Sequence, residues 1–342
     1  MIPHNKPSIG PEESEAIAEV IASGWIAPGE KVRQFEQAFA DYVGAKYAVA
    51  VNSGTAALTI ALKILGRMYF IAMPTYICSA VLNAVDMCNE QAYIIDISRN
   101  DFNMERVKVE LSPHKGVYII SHTFGVPADI KQFTGENQYI IEDCAQALGS
   151  YIDGKHVDLQ GDIGIFSFGP SKMITTGSGG MLVTNNKDLA DKARNYIDFD
   201  QREDYKPRFN FAMNDLQAAM GLVQLKRLPI FLYKKARMAY EYRDICKSKG
   251  WDNNKGMITG NNFYRFVVIN DCVDRLKQRL ADNEITAIVP IERRELLHNY
   301  LGLDAGDYPN AEWVSTHTLS LPIYPDLLDS EFSKIIEILR RF

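Results

Sequence analysis

From Tyr47 to Asn185 the chain repeats one pattern: a short run of apolar residues, a turn, then a helical stretch. YAVAV (47–51) leads into SGTAALTIALKIL, and MYFIAMP (68–74) leads into SAVLNAV. QAYIIDI (91–97), KGVYIISH (115–122) and QYIIEDC (138–144) continue the series, and IGIFSF (163–168) and GMLVTN (180–185) add two short strands. Strands that are apolar throughout have no face to offer water. Both faces must be covered, and the helical stretches between them imply a mostly parallel sheet. The predicted class is α/β, with helices flanking the sheet.

Two helices precede the series, over Pro11–Ala22, where Pro11 suits the first helical position, and over Glu30–Val43. After it, NDLQAAMGLVQLKRL predicts a long helix over 214–228, and a second is predicted from Phe231 to Lys249. FYRFVVIN, VDRLKQRLADN, ITAIVPI and EFSKIIEILRRF then alternate strand and helix again. With 342 residues the chain exceeds the ~250–300 at which one core stops growing. We therefore expect an N-terminal arm plus a large unit over 1–230 and a smaller α/β unit over 231–342.

A hydrophobic share of 46% and a charged share of 23% exclude a disordered chain. A formal charge of −6 argues against nucleic-acid binding, which calls for clustered Lys and Arg. The five cysteines are scattered and show no metal-type pairing, so no metal is expected. No leader-like segment opens the sequence and no apolar run approaches the ~18–20 residues of a membrane span, so no membrane partner is expected and the cytoplasm is the expected location.

Three segments bear chemistry. SGTAAL (53–58) places Gly54, Thr55 and Ala56 at a helix N-terminus, where free amides suit a phosphate, although taken alone the segment reads first as a plain helix cap by Ser53 or Thr55. No GxGxxG follows a strand, so a dinucleotide site lacks its signature. EDCAQALGS sets Asp143 at the end of a buried strand, where a carboxylate needs a cationic partner, with Gln146 three residues on. A helix-capping role is the alternative for Asp143. FSFGPSKMITTGSGG holds Lys172 in a Gly-rich turn between two strands, either as a desolvated reactive amine or as a surface lysine. A Walker loop requires Gly immediately before Lys, and here Pro170 and Ser171 precede it.

Taken in order, GWIAPGEKVRQFEQAFADYVGAKYAVAVNSGTAAL (24–58), PTYICSAVLNAV, EDCAQALGS, SFGPSKMITTGSGG and FNFAMNDLQAAMGLVQLKRL resemble the DegT/DnrJ/StrS family of sugar aminotransferases. That resemblance implies the fold-type I architecture of pyridoxal-5′-phosphate (PLP) enzymes, with the cofactor held as a Schiff base on Lys172. It implies Asp143 at the pyridine nitrogen and Gln146 at the ring's phenolic oxygen. Thr55, the backbone of Gly54 and Ala56, and Ser167 would hold the phosphate, and Asn210 would reach the phosphate of the neighbouring subunit. A homodimer with shared active sites follows. The implied reaction moves an amino group from a donor, expected to be glutamate, to a keto-sugar, expected to be nucleotide-linked, in polysaccharide, glycan or antibiotic-sugar biosynthesis. The freed lysine would carry the proton between substrate and cofactor. Dehydratase relatives lack this lysine.

The sequence departs from the family pattern in places. Cys78 stands where an aromatic residue often stacks on the cofactor, and Tyr76 is a candidate replacement. GSGG puts Ser178 where Glu is commoner, and Ala212 replaces a common Arg. Glu292 and Arg293 stand where many nucleotide-sugar enzymes have a histidine, so Arg293 or Arg294 could contact a diphosphate, or both could simply balance Glu292 and Glu295. His122 in SHTFGVPADI fits either a position near the cofactor or a structural role. A keto-sugar or cyclitol acceptor without a nucleotide, and a catalytically silent PLP-fold regulator, remain alternatives.

Overall fold

The computed structural model describes the chain except for residues 106–114, 134, 136–137, 158–159, 201 and 252–259. In chain order the first half runs α1 (Pro11–Ser23), α2 (Glu30–Val43), β1 (Tyr47–Val51), α3 (Gly54–Leu65), β2 (Phe70–Pro74), α4 (Ser79–Asp86), β3 (Ala92–Ile95), β4 (Gly116–Ser121) and β5 (Gln138–Asp143). A small hairpin, β6 (Tyr151–Ile152) and β7 (Lys155–His156), precedes β8 (Ile163–Ser167), β9 (Gly180–Thr184), α5 (Lys187–Ile197) and α6 (Asp215–Lys249). The chain ends with β10 (Phe266–Ile269), α7 (Val273–Ala281), α8 (Leu297–Tyr300), α9 (Pro309–His317), β11 (Thr318–Leu321) and α10 (Asp329–Arg341).

Seven strands form one sheet in the order β1-β9-β8-β5-β4-β2-β3. β9 pairs antiparallel with both neighbours, and the other pairings are parallel. The register places Ser121 opposite Asp143, Asp143 opposite Ile165, and Ser167 opposite Gly180. The carboxyl ends of β4, β5 and β8 thus share one edge of the sheet, where open α/β sheets place their ligands.

Each face of the sheet is covered by helices, as all-apolar strands require. On one face, Ala57, Leu58 and Ala61 of α3, Val81 and Val85 of α4 and Leu189 of α5 pack on Val49, Ile71, Ile119 and Ile165. On the other, Phe35 and Phe39 of α2 form an aromatic cluster with Phe166 and Phe168, joined by Leu228 and Phe231 of α6. A separate core gathers around the β10–β11 ribbon, with Tyr242 of α6, Leu276 of α7 and Ile335 of α10.

Two predicted elements differ. The helices expected at 214–228 and 231–249 are one helix, α6, which continues through Pro229. Proline removes an amide and disfavours a helix interior, but packing on both sides outweighs it. Leu225, Leu228 and Phe231 are held against the sheet-side core, and Met238, Tyr242 and Ile245 are held in the second. Residue 230, the expected boundary between units, therefore lies inside a helix. The strand expected at ITAIVPI is reduced to two isolated bridges, Ile2–Ile285 and Ile288–Ser320. Among the described residues no helix is long and apolar enough to cross a membrane, and no cluster of His, Cys, Asp or Glu is arranged to hold a metal.

Candidate active site

Three turns converge at the carboxyl edge of the sheet. The first joins β1 to α3, where Ser53 caps the helix and its hydroxyl accepts the Ala56 amide at 3.0 Å. Gly54 and Thr55 occupy the first two helical positions, so their amides have no acceptor in a preceding turn and stand at the positive end of the helix dipole, a place suited to an anion. Glycine at 54 is a requirement of space: a Cβ there would lie 2.8 Å from the Ser167 Cβ and 3.2 Å from its Oγ. A Cβ on Gly180 would likewise lie 2.4 Å from the Ser53 carbonyl oxygen. The start of α3 is pressed directly onto the ends of β8 and β9.

The second turn follows β5. Asp143 is buried, and its Oδ1 accepts the Ala145 amide at 3.0 Å. Among the described residues no cation lies within ion-pair distance of it. Burial pushes its carboxyl above the usual range, against the pull of the Ala145 amide, Lys172 and His122. The neighbouring Glu142 is braced by His122 through a 3.0 Å contact to Nε2. His122 Nδ1 accepts the Ala128 amide, so the proton is on Nε2 and donates to Glu142. Glu142 Oε1 accepts the amides of Gln160 and Gly161. His122 is a fully buried brace for the ends of β4 and β5. The Oε1 of Gln146 accepts the Phe124 amide at 2.9 Å, which fixes its carboxamide with the NH2 group left to donate.

The third turn, between β8 and β9, carries Lys172. It is held by its own polar groups: the Phe168 carbonyl accepts the Thr176 amide and the Thr175 hydroxyl, and the Thr175 hydroxyl accepts the Gly177 amide, where φ is +76°. Ser178, in place of the usual glutamate, donates to the Asn52 carbonyl, and Gln217 donates to the Ser178 carbonyl.

These turns enclose a cleft of about 80 Å³ lined by Gly54, Thr55, Cys78, Asp143, Ser167 and Lys172, with Leu58, Val81 and Ile165 among its apolar walls. Five of the eight residues singled out from the sequence thus come together. Ala56 lies behind the cleft in α3 and Gln146 beside it. Asn210 is exposed outside it, its carbonyl accepting Asn52 Nδ2 at 3.1 Å next to the bridge between Val51 and Ala212.

Tyr76 does not line the cleft. It is buried in an aromatic cluster with Phe102 and Phe124, while Cys78 reaches the cleft wall. Arg293 pairs with Glu312, and Arg294 with Glu292 at 2.9 Å, so both guanidinium groups are engaged within the chain. Sequence reasoning missed Tyr264, whose ring centre lies 5.7 Å from Lys172 Nζ. Burial alone would raise its phenol, but Lys172, Arg265 and the Ser171 hydroxyl together hold it below the ordinary value. Nothing local marks Tyr264, because it reaches Lys172 only through tertiary packing.

A profile of the DegT/DnrJ/EryC1/StrS aminotransferase family matches residues 7–340. The spore coat polysaccharide biosynthesis protein SpsC of Bacillus subtilis is 31% identical, the match covering 99% of this chain and 96% of that protein. Among solved structures, the aminotransferase TlmJ from Streptoalloteichus hindustanus superposes with a TM-score of 0.91 at 28% identity, covering 100% of this chain and 98% of that one. DesV of S. venezuelae, solved in complex with a ketimine intermediate, superposes with a TM-score of 0.89 at 26% identity over 96% of this chain and 94% of that one.

Proposed function

The chain belongs to the DegT/DnrJ/EryC1/StrS aminotransferase family and is an aminotransferase; on that premise we propose that it uses PLP bound at Lys172 to transfer an amino group, with glutamate as donor, to a nucleotide-linked keto-sugar. One observation carries the cofactor assignment: Asp143 is a buried carboxylate with no ion-pair partner among the described residues, and it lines the same cleft as Lys172, which pulls on it only from beyond ion-pair distance. A carboxylate so placed needs a cationic partner from outside the chain, and a protonated pyridine nitrogen is one. The other residues fit the same group. The amides of Gly54 and Thr55 with the Ser167 hydroxyl suit a phosphate, and the Gln146 NH2 group, its carboxamide already oriented by Phe124, is a donor for the ring oxygen.

When bound, PLP supplies an electrophilic carbonyl carbon and a ring that accepts electrons. The chain supplies position and proton handling. Asp143 would keep the ring nitrogen protonated, α3 and Ser167 would anchor the phosphate end, and the Lys172 amine would take and return the proton at the substrate carbon that bears nitrogen. The packing of Tyr264 beside Lys172 supports a site in which that amine is confined. Asn210, exposed and unused in its own cleft, supports a homodimer in which it completes the partner's phosphate site. The presence of two cores supports a large unit over 1–230 and a smaller one over 231–342, joined by α6. The likeness to SpsC, a spore coat polysaccharide biosynthesis protein, supports a role in polysaccharide biosynthesis.

The test is the absorbance of the purified, PLP-incubated protein before and after glutamate, beside Lys172→Ala. We expect a band near ~420 nm that glutamate moves towards ~330 nm in the native protein alone. Absence of any such band after incubation with PLP sinks the assignment. Equal rates on acceptors with and without a nucleotide would remove the nucleotide-linked substrate from it.

A further inference from the structure

Three basic side chains surround the Tyr264 ring. Lys172 Nζ, Lys235 Nζ and Arg265 Cζ each lie 5.7 Å from its centre. None of the three has a carboxylate within ion-pair distance among the described residues. The nearby His4 adds no compensating charge: burial, then Arg265 and Lys235, drive it down to about 3, so it is neutral, with Nε2 at 2.9 Å from the Ser320 hydroxyl. Burial, then Arg265, draws the Lys235 amine down to about 7, a sign that positive charge is crowded here, and an anion would relieve that crowding.

The three groups are not equally available. Lys235 is buried and donates to the carbonyls of Tyr264 and Ile323, both at 3.1 Å. Lys172 belongs to the reacting centre proposed above. Arg265, immediately before β10, keeps a buried Nη1 with no acceptor. Buried donors are nearly always satisfied, and one that is not invites an explanation such as a ligand.

We propose that Arg265 anchors the carboxylate of the amino donor. The inference rests on the aminotransferase site proposed at Lys172 and adds the residue that recognises the donor. Both Arg265 and Lys172 flank one tyrosine ring at equal distance from its centre, so they are no further apart than twice that distance. In an amino acid the amine and the α-carboxylate are borne by one carbon, so an amine delivered to Lys172 brings its carboxylate into this neighbourhood. The phosphates of a nucleotide-linked sugar are held away from the reacting carbon by the sugar ring. A guanidinium also grips a carboxylate through two parallel hydrogen bonds, which an ammonium cannot do.

The experiment compares the native PLP-loaded protein with Arg265→Lys and Arg265→Met, each first checked for retained cofactor absorbance and thermal stability. Glutamate is titrated while the loss of the ~420 nm band is followed, a keto-sugar acceptor is titrated against the pyridoxamine-phosphate form, and glutarate, which cannot react, is titrated by calorimetry. We expect Arg265→Met to raise the half-saturating glutamate concentration by about tenfold or more and to weaken glutarate to a similar degree, with the acceptor's half-saturation unchanged and Arg265→Lys intermediate. Unchanged glutamate and glutarate binding in Arg265→Met overturns the proposal. A rise confined to the acceptor overturns it in favour of a phosphate contact. If native protein shows no response to glutamate, the reading of the Lys172 site has failed, and the glutarate titration still decides whether Arg265 holds a carboxylate.

Discussion

Replacing Gly54 with alanine probes the cradle directly, because its effect follows from two distances. The new Cβ would sit 2.8 Å from the Ser167 Cβ, about 0.7–1.2 Å inside the ~3.5–4.0 Å optimum for two carbon atoms. Ser167 has little room to retreat. It is paired with Gly180 across the β8–β9 ladder, and Gly180 is itself in close contact with the Ser53 carbonyl. The start of α3 must therefore lift away from the sheet, taking the amides of Gly54 and Thr55 with it. Overpacking of this kind costs about 1–3 kcal/mol. For a chain of this size that is a fall in melting temperature of about 1–4 °C. If the displacement is borne by the phosphate contacts, the same energy weakens PLP by about 5- to 150-fold. Differential scanning calorimetry of the cofactor-free protein and absorbance titration with PLP measure the two effects separately. Removing the opposing atoms with Ser167→Gly in the same chain should return the melting temperature to that of Ser167→Gly alone, because residues in contact do not act additively. A Gly54→Ala protein with native melting temperature and native PLP affinity, or a double variant no better than the sum of its parts, would refute the argument.

Three further outcomes follow from buried charges. Asp143→Asn removes a desolvated carboxylate that has no ion-pair partner among the described residues, so the melting temperature of the cofactor-free protein should hold or rise. PLP affinity, read by absorbance titration, should fall by about 10- to 150-fold, the worth of a hydrogen bond to a charged group. Arg227→Met strips Glu13, a buried carboxylate that accepts from Arg227 Nη1 and Gln224 Nε2, and should cost about 1–3 kcal/mol in urea denaturation near neutral pH. Burial opposes ionisation of Glu13, but the hydrogen bonds from Gln224 and Arg227 win and hold it below 4.5. Its stabilising effect is thus present above that value and lost as pH falls through the lower folded value, and the variant should show a shallower acid loss. Burial, then Arg265, pulls Lys235 down to about 7 from 10.5. The unfolded chain then binds more protons between those values, so stability should rise with pH from about 7 towards about 10. Lys235→Met should flatten that rise in melting curves recorded across the range.

Much of this protein was legible in its sequence because the determinants are local. All-apolar strands separated by helical runs admit a parallel sheet covered on both faces and little else. A Ser-Gly-Thr turn after β1 fixes the start of α3, an acidic residue at the end of β5 fixes where Asp143 stands, and the Gly-rich turn between β8 and β9 fixes Lys172. Strand direction then brings these turns to one edge without further instruction, and Gly54, Thr55, Asp143, Ser167 and Lys172 meet in one cleft. Other features depend on partners remote in sequence, and only tertiary structure decided them. Pro229 reads as a break, yet α6 runs through it because two separate cores hold its two halves. Arg293 and Arg294 read either as diphosphate contacts or as partners of nearby glutamates, and the fold pairs them with Glu312 and Glu292. His122 reads either as near the cofactor or as structural, and only the fold shows its two nitrogens engaged with Ala128 and Glu142. Tyr264, Lys235 and Arg265 carry no motif, and they become part of a site only when β10 and α6 are packed beside the turn that holds Lys172. The physical reason is one of range. Hydrophobic period, capping and turn chemistry act within a few residues, whereas burial and electrostatic pairing depend on which distant side chains the fold brings within a few ångströms.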